Sequence, residues 1–227
     1  EEFCNQSGDT MSFTRQQGSD FAKKIAGDFN PLHDTDNSRF CVPGDLLFSL
    51  SLSRFGISQS MTFDFQGMIG GESELHFVES VDNIRVEDQK QKSYMSVSRE
   101  GEISQNPLFI EGLIRSYVAF SGKTFPHIIV ALMKQEGVMV NPTRPMVIYD
   151  NMKLAFTSFS ESVPEVVLKG SKFDVDGKRG MVTMEFDLRA DGHSIGSGEK
   201  QIIMSGLRPY EQEGIDKLIE IYDQARE

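Results

Sequence analysis

The chain has 227 residues and carries 34 acidic but only 23 basic side chains, which gives a net charge of −11. This charge excludes general nucleic-acid binding, because such binding relies on Lys and Arg at the phosphates, and it disfavours an anionic membrane surface. The 17 Phe residues need a buried core, so the composition excludes a disordered chain.

The cysteine and histidine content narrows the class of protein further. Cys4 and Cys41 are too few for a disulfide framework and favour a reduced, cytoplasmic compartment. No leading segment has the pattern of a signal peptide, and the apolar runs are too short to span a membrane. His76, His127 and His193 show no metal-ligand spacing, so neither a metal nor a cofactor is expected.

Two helices are predicted in the first quarter of the chain. Residues 14–27 form an amphipathic pattern that Thr14 opens with capping-box spacing and Gly27 closes as a C-cap. Residues 43–55 follow, with Pro43 in the first turn and apolar side chains on nearly every side. The second helix is therefore expected to be buried.

Strand-forming patterns follow each of two apolar helices. After the first, they extend to residue 120 with glycine turns between them. The predicted strands there are 61–69, 73–80, 93–99 and 108–120, and residues 82–92 define no register. Thr124 then opens a mostly apolar helix over 125–136. The strands predicted after it are 151–159, 165–174, 180–189 and 194–205.

A buried helix followed by antiparallel strands thus occurs twice, which predicts an α+β chain of two similar domains. The predicted boundaries are 1–122 and 123–208, followed by an amphipathic C-terminal helix over 209–227. The two buried helices, 43–55 and 125–136, are expected side by side under one continuous sheet. The alternative is one α+β domain with two unrelated helices.

The segment between the first two helices carries the motif with chemical content. Residues 19–33 read Ser-Asp-Phe-Ala-Lys-Lys-Ile-Ala-Gly-Asp-Phe-Asn-Pro-Leu-His. This resembles the hydratase motif of the MaoC-like (R)-specific enoyl-CoA hydratases, in which a helix is followed by Gly-Asp-x-Asn-Pro-x-His. The resemblance implies a tandem hotdog fold, in which an antiparallel sheet wraps around buried central helices. The matching residues are Gly27, Asp28, Asn30, Pro31 and His33.

The resemblance also implies roles for these residues. In the family, the Asp and the His bind the catalytic water, which assigns that role to Asp28 and His33. Asn30 would fix the loop, and the free N–H groups near Gly44 would form the oxyanion site. Hydration of an enoyl thioester needs a held water beside C3, a proton for C2 and stabilisation of the thioester oxygen. The implied ligand is an enoyl or (3R)-hydroxyacyl thioester of CoA or a carrier protein, and a homodimer is a further expectation.

The chain departs from the family where it enters the 43–55 helix. Val42-Pro43-Gly44-Asp45-Leu46 stands where the family has an Ile-Ala-His-Gly-Met-like stretch, so a second His is missing. The Asp45 carboxylate would oppose negative charge on the thioester oxygen, which predicts weak or absent activity on short enoyl thioesters. Two alternatives are a non-catalytic protein that binds an acyl thioester or a partner, and a thioesterase in which Asp45 acts on the thioester carbonyl.

Overall fold

The computed structural model describes residues 2–226 of the chain. In that part of the chain, ten antiparallel strands form one sheet, and two short strands, β7 (Val138–Met139) and β12 (Arg208–Pro209), pair separately. The ten strands are β1 (Asn5–Ser7), β2 (Thr10–Ser12), β3 (Ile57–Phe65), β4 (Glu74–Glu79), β5 (Asn83–Asp88), β6 (Ser93–Ser104), β8 (Met146–Phe156), β9 (Glu165–Asp176), β10 (Arg179–Ala190) and β11 (His193–Ser205).

The helices include two that lie in the core and several that flank it. Pro31–His33 forms a single 3₁₀ turn, and Phe21–Ala26 continues α1 as a π-helical turn. Helix α1 begins after Thr14, which forms the expected capping box with Gln17. The α-helices are α1 (Arg15–Asp20), α2 (Gly44–Phe55), α3 (Pro107–Gly122), α4 (Thr124–His127), α5 (Ile129–Gln135) and α6 (Gln212–Arg226). None of the described helices is long and apolar enough to cross a membrane.

The strand order gives the sheet an internal symmetry. The order is β1-β2-β4-β5-β6-β3-β8-β11-β10-β9, so β3 and β8 meet at the centre with Met61 opposite Leu154. On one side of this central pair, β3 is followed outward by β6, β5 and β4. On the other side, β8 is followed outward by β11, β10 and β9, so the two halves have the same strand order. Each half therefore repeats one topology around its own buried helix. The fold is α+β and a tandem hotdog, as the sequence predicted.

Helix α3 corrects two expectations. Residues 108–120 were expected to form a strand, and this is wrong: Asn106 caps a helix there, its Oδ1 accepting the N–H groups of Leu108 and Phe109. The exposed residues Leu108, Glu111 and Arg115 recur at helical spacing, and Arg115 bonds Glu111 one turn away, so the period of the run is helical and the strand prediction overlooked it. Asn106 followed by Pro107 is a helix-start signal that favours the observed structure.

The pairing of the central helices is the second correction. Helix α2 packs against α3, with the Phe48 and Tyr117 rings 4.7 Å apart, and not against the 125–136 segment. That segment is divided into α4 and α5, and α5 packs in a separate apolar cluster with α6 and the second half's strands. The boundary at 122 stays a prediction, and the symmetry of the sheet favours a division before α3.

Candidate functional site

The loop that carries Asp28 begins at a sharp helix end. The π-helical turn ends at Gly27, whose φ of 65° is left-handed. The carbonyl of Ala22 accepts the Asp28 N–H at 2.9 Å, and it also accepts the N–H of Gly27. Glycine adopts this backbone conformation at little cost, so the chain can turn away directly after the helix. Turns of the π type occur frequently at functional sites.

Two side chains of the loop hold its own backbone. Asp28 Oδ1 accepts the Asn30 N–H at 2.9 Å, and Asn30 Oδ1 accepts the Leu32 N–H at 3.1 Å. Asn30 thereby caps the 3₁₀ turn that ends at His33. These short-range bonds fix the spacing between the Asp28 carboxylate and the His33 imidazole.

The structure brings Asp28 and His33 together. His33 Nε2 lies 3.6 Å from Asp28 Oδ2, which is too long for a direct hydrogen bond. His33 Nδ1 lies 2.7 Å from the carbonyl oxygen of Cys41. A carbonyl oxygen only accepts, so Nδ1 carries the proton of the neutral ring and Nε2 is left free to accept. The catalytic roles that the resemblance assigns to the pair stay predictions.

The environment of His33 favours its charged form. Burial of the ring lowers its pKa, but the Asp28 carboxylate acts in the opposite direction, with a smaller contribution from the Cys41 carbonyl. The net effect raises the pKa of His33 above its ordinary value. The imidazole therefore takes up a proton more readily than a free histidine does, which suits a group that exchanges protons near neutral pH.

The N-terminus of α2 is closely covered. Pro43 is its N-cap, and no side chain caps this end. Gly44 lies against Phe65 and Tyr149, whose rings stack with centroids 4.2 Å apart. A Cβ at Gly44 would lie 3.0 Å from Phe65 Cε1 and 3.3 Å from Tyr149 Cδ1. The close approach of the two rings to the backbone explains the glycine at this position.

Asp45 is buried in the first turn of α2. The residue is 8% exposed, and its Oδ1 has no hydrogen-bond partner in the described structure. Burial raises the pKa of the Asp45 carboxyl, and the positive charge of Lys200 offsets part of this effect. The charges of Asp28 and His33 also act on the Asp45 carboxyl. The Ser121 hydroxyl, which accepts a hydrogen bond from Lys200, is also a hydrogen-bond partner of the Asp45 carboxyl, so Ser121 connects Asp45 with Lys200.

A buried lysine from the second half completes this polar cluster. Lys200, on β11, is 4% exposed, and its Nζ donates a hydrogen bond to Ser121 Oγ at the end of α3. The Nζ also lies 4.2 Å from the centroid of the Tyr149 ring, and the Tyr149 hydroxyl bonds with that of Tyr117. Burial lowers the pKa of Lys200, and the Asp45 and Asp28 carboxylates oppose this shift.

Sequence reasoning missed Lys200, Ser121, Tyr117 and Tyr149. One signal was available in the sequence. Side chains at every second residue of a strand point to the same face, so Lys200 lies on the same inner face of β11 as Ile202 and Met204. Tyr117 lay in the run 108–120 that was assigned to a strand, and Ser121 follows that run directly, so the helical face that the two residues share was not predicted.

The C-terminal helix covers the Asp28 loop from outside. The Tyr222 hydroxyl donates to the Gly27 carbonyl at 3.0 Å and lies 3.4 Å from the Gly122 carbonyl. The Tyr222 ring also packs edge-on against Phe29 at a centroid distance of 5.6 Å. Gly122 lies close to the Asp28 backbone, with the position of an added Cβ 3.2 Å from Asp28 N. Helices α3 and α6 therefore hold the loop from two sides.

Fold and site define the class: a tandem hotdog protein with a charged, largely buried cluster at the N-terminus of its first central helix. The chain belongs to the family described as "Protein of unknown function (DUF3581)", whose family model matches residues 1–213. No curated protein matches the chain.

Several solved structures are similar to the chain at low identity. A tesB protein from Mycobacterium avium subspecies paratuberculosis is 8% identical, with a TM-score of 0.47, and the match covers 88% of this chain and 95% of that one. A hot dog fold protein of unknown function from Alicyclobacillus acidocaldarius is 8% identical, with a TM-score of 0.48 and coverage of 91% and 96%. A MaoC-like dehydratase from Phytophthora capsici is 11% identical, with a TM-score of 0.40 and coverage of 84% and 93%. Likenesses this weak assign no substrate or activity.

Proposed function

We propose that the chain is a hydratase or dehydratase that acts on enoyl or (3R)-hydroxyacyl thioesters of CoA. The observation that carries this proposal is the arrangement of Asp28 and His33. Their facing atoms are 3.6 Å apart, and the Nδ1 of His33 is already committed to the Cys41 carbonyl. Two proton-accepting groups thus face each other without a direct hydrogen bond, which is a suitable place for one water molecule.

The chemistry follows from this geometry. A water that donates one hydrogen to His33 Nε2 and the other to Asp28 Oδ2 turns its oxygen lone pairs away from both groups. When that oxygen bonds to C3 of the enoyl group, the pair accepts one proton from the water and returns one to C2. The double bond is consumed, a C3–O and a C2–H bond form, and the pair ends in its starting state. Dehydration is the same path reversed.

The start of α2 supplies the remaining requirement. The thioester oxygen gains negative charge in the transition state, and the uncapped N–H groups at Gly44 and Asp45 are donors with a favourable helix dipole. The Asp45 carboxylate opposes that charge. Lys200 is a compensating positive charge that the sequence interpretation did not include, and it acts on the same carboxyl.

The test is hydration of short- and long-chain trans-2-enoyl-CoA, and dehydration of the matching (3R)-hydroxyacyl-CoA, by the wild type and by Asp28→Asn and His33→Ala, because weak activity is expected on the short chains. Each substitution is expected to lower kcat by about 10²–10⁴-fold, because each removes one proton-transfer group. Asp36→Asn, an exposed carboxylate in the same loop, is the matched control and is expected to leave the rate unchanged. Wild-type protein inactive toward every thioester tested, or full activity in both site variants, would contradict the proposal.

A thioesterase is the second candidate, and the buried Asp45 carboxylate favours it. Among the residues that the structure describes, none pairs with its Oδ1 at the helix N-terminus, where a carboxylate can act as a base or nucleophile toward a thioester carbonyl. Release of free CoA thiol, followed with a thiol reagent, separates the two reactions because hydration leaves the thioester intact. Thiol release that Asp45→Asn abolishes and Asp28→Asn leaves unchanged would favour the thioesterase.

A further inference from the structure

The hydroxyl of Tyr222 lies between two carbonyl oxygens at helix ends. It donates to the Gly27 carbonyl at 3.0 Å, and the Gly122 carbonyl is 3.4 Å away. Gly27 closes the first helix, and Gly122 is the last residue of α3. The last carbonyls of a helix have no partner within it and carry the negative end of its dipole. Two such ends repel each other unless a donor lies between them, and Tyr222 supplies that donor.

The ring of Tyr222 contacts the other side of the same loop. It packs edge-on against Phe29 at a centroid distance of 5.6 Å, and against Phe125 at the same distance. Tyr222 therefore contacts the residue directly before Asp28 through its hydroxyl and the residue directly after Asp28 through its ring. A change in this side chain is transmitted to the backbone that carries the Asp28 carboxylate.

Helix α6 fixes the place of Tyr222. Ile215 and Tyr222 are the buried residues of the described part of α6, at 0% and 6% exposure. They lie on one face of the helix, because a separation of seven residues is close to two turns. Ile215 belongs to the apolar cluster of the second half. The helix is thus anchored on the second half and reaches the motif loop of the first.

Tyr222 is not placed to exchange protons itself. Burial raises the pKa of its hydroxyl, and the Asp28 charge acts in the same direction, so the hydroxyl keeps its proton at neutral pH. That proton is committed to the Gly27 carbonyl. Any effect of Tyr222 on the proposed reaction therefore passes through the position of Asp28.

We propose that Tyr222 is a positioning residue that sets the distance between the Asp28 carboxylate and the His33 imidazole. The facing atoms of the two groups are 3.6 Å apart, and the Cys41 carbonyl holds the His33 end of the loop at 2.7 Å. Tyr222 holds the Asp28 end. A displacement of about 1 Å in a reacting group can lower a rate by about 10²-fold. The effect on rate rests on the proposed function, whereas the placement of Asp28 does not.

Two substitutions that each remove one hydroxyl form the central comparison. Tyr222→Phe keeps the ring and removes the donor between the two carbonyls, which are then expected to separate and to shift the loop. Tyr210→Phe is the matched control, because the Tyr210 hydroxyl bonds Gln212 at the start of α6 and not the loop. Urea unfolding of each variant checks that the protein studied is folded.

An NMR titration of His33 reports the placement of Asp28 without any substrate. Burial lowers the pKa of His33, Asp28 contributes most of the opposing rise, and Asp45 contributes least. Tyr222→Phe is expected to give His33 a pKa between those of the wild type and of Asp28→Asn, because the carboxylate moves away from the ring. Tyr210→Phe should leave the pKa of His33 unchanged. A residue that only stabilises the fold would not alter the titration of the folded protein.

Hydration of trans-2-decenoyl-CoA tests the effect on the reaction. Tyr222→Phe should lower kcat by about 10-fold and leave KM within about twofold, because the geometry of the reacting groups is disturbed and ground-state binding is not. Tyr222→Leu also removes the ring contact with Phe29 and should lower kcat by about 10²-fold. Tyr210→Phe should leave both constants unchanged.

Several results would overturn the inference. They are a Tyr222→Phe variant in which His33 has the wild-type pKa, a lowered pKa of His33 with wild-type kcat, and equal effects of Tyr210→Phe. A wild type that hydrates no thioester refutes the proposed function alone. In that case the titration still decides, because a lowered pKa of His33 in Tyr222→Phe supports the positioning and an unchanged one refutes it.

Discussion

Lys200→Met offers the most direct test of the buried charges. Lys200 and Asp45 are 4% and 8% exposed, so water screens their interaction poorly. Removing the lysine leaves Asp45 as an uncompensated buried carboxylate, which costs about 3–5 kcal/mol where the two charges are in contact. Here they do not touch, so we expect a coupling free energy of about 1–3 kcal/mol between the two positions.

The assay is a double-mutant cycle of urea unfolding on the wild type, Lys200→Met, Asp45→Asn and the double variant. The double variant should be more stable than the sum of the single effects, since neither charge is then left alone. Lys172 and Asp174, an exposed ion pair at 3.0 Å, form the control cycle, in which solvent screening should leave little coupling. Single effects in the Asp45–Lys200 cycle that add within about 0.5 kcal/mol would refute the reasoning.

Two further predictions concern the core and the Asp28 loop. Leu52→Ala, on the fully buried face of α2, should lower the free energy of unfolding by about 2–5 kcal/mol, measured by urea denaturation at an unchanged m-value. A small effect would show that α2 is not a central helix of the core. In an NMR titration, His33 should have a pKa above the ordinary histidine value, and Asp28→Asn should lower the pKa of His33. Because the folded-state pKa of His33 is raised, its stabilising contribution is complete below the ordinary histidine pKa and is lost as the pH rises through the raised value. An Asp28→Asn variant with an unchanged His33 pKa would contradict the pairing.

Helix ends and turns, which depend on a few neighbouring residues, were predicted correctly from the sequence. Thr14 opens the first helix with a capping box, and Gly27 closes it in a left-handed conformation. Asp191-Gly192 was predicted to form a hairpin turn, and it does connect β10 to β11, with Ala190 opposite His193. These features depend on hydrogen bonds and backbone preferences within a few residues, so local sequence is sufficient. The short loop from Asp28 to His33 belongs to the same class, because its own side chains fix its shape.

Features that depend on distant parts of the chain were decided by tertiary structure. The start signal at Asn106-Pro107 and the spacing of Glu111 and Arg115 favour a helix in the sequence itself, but only packing against α2 shows that α3 is the second central helix. Lys200 lies 155 residues after Asp45 in the sequence, and β11, which carries Lys200, comes near the start of α2 only because β3 and β8 pair at the centre of the sheet. Sequence alone determined the carboxylate and imidazole of the motif. Only the fold placed Lys200 in the core where the charges of Asp45 and Asp28 act on it, because burial and long-range charge are properties of the assembled core.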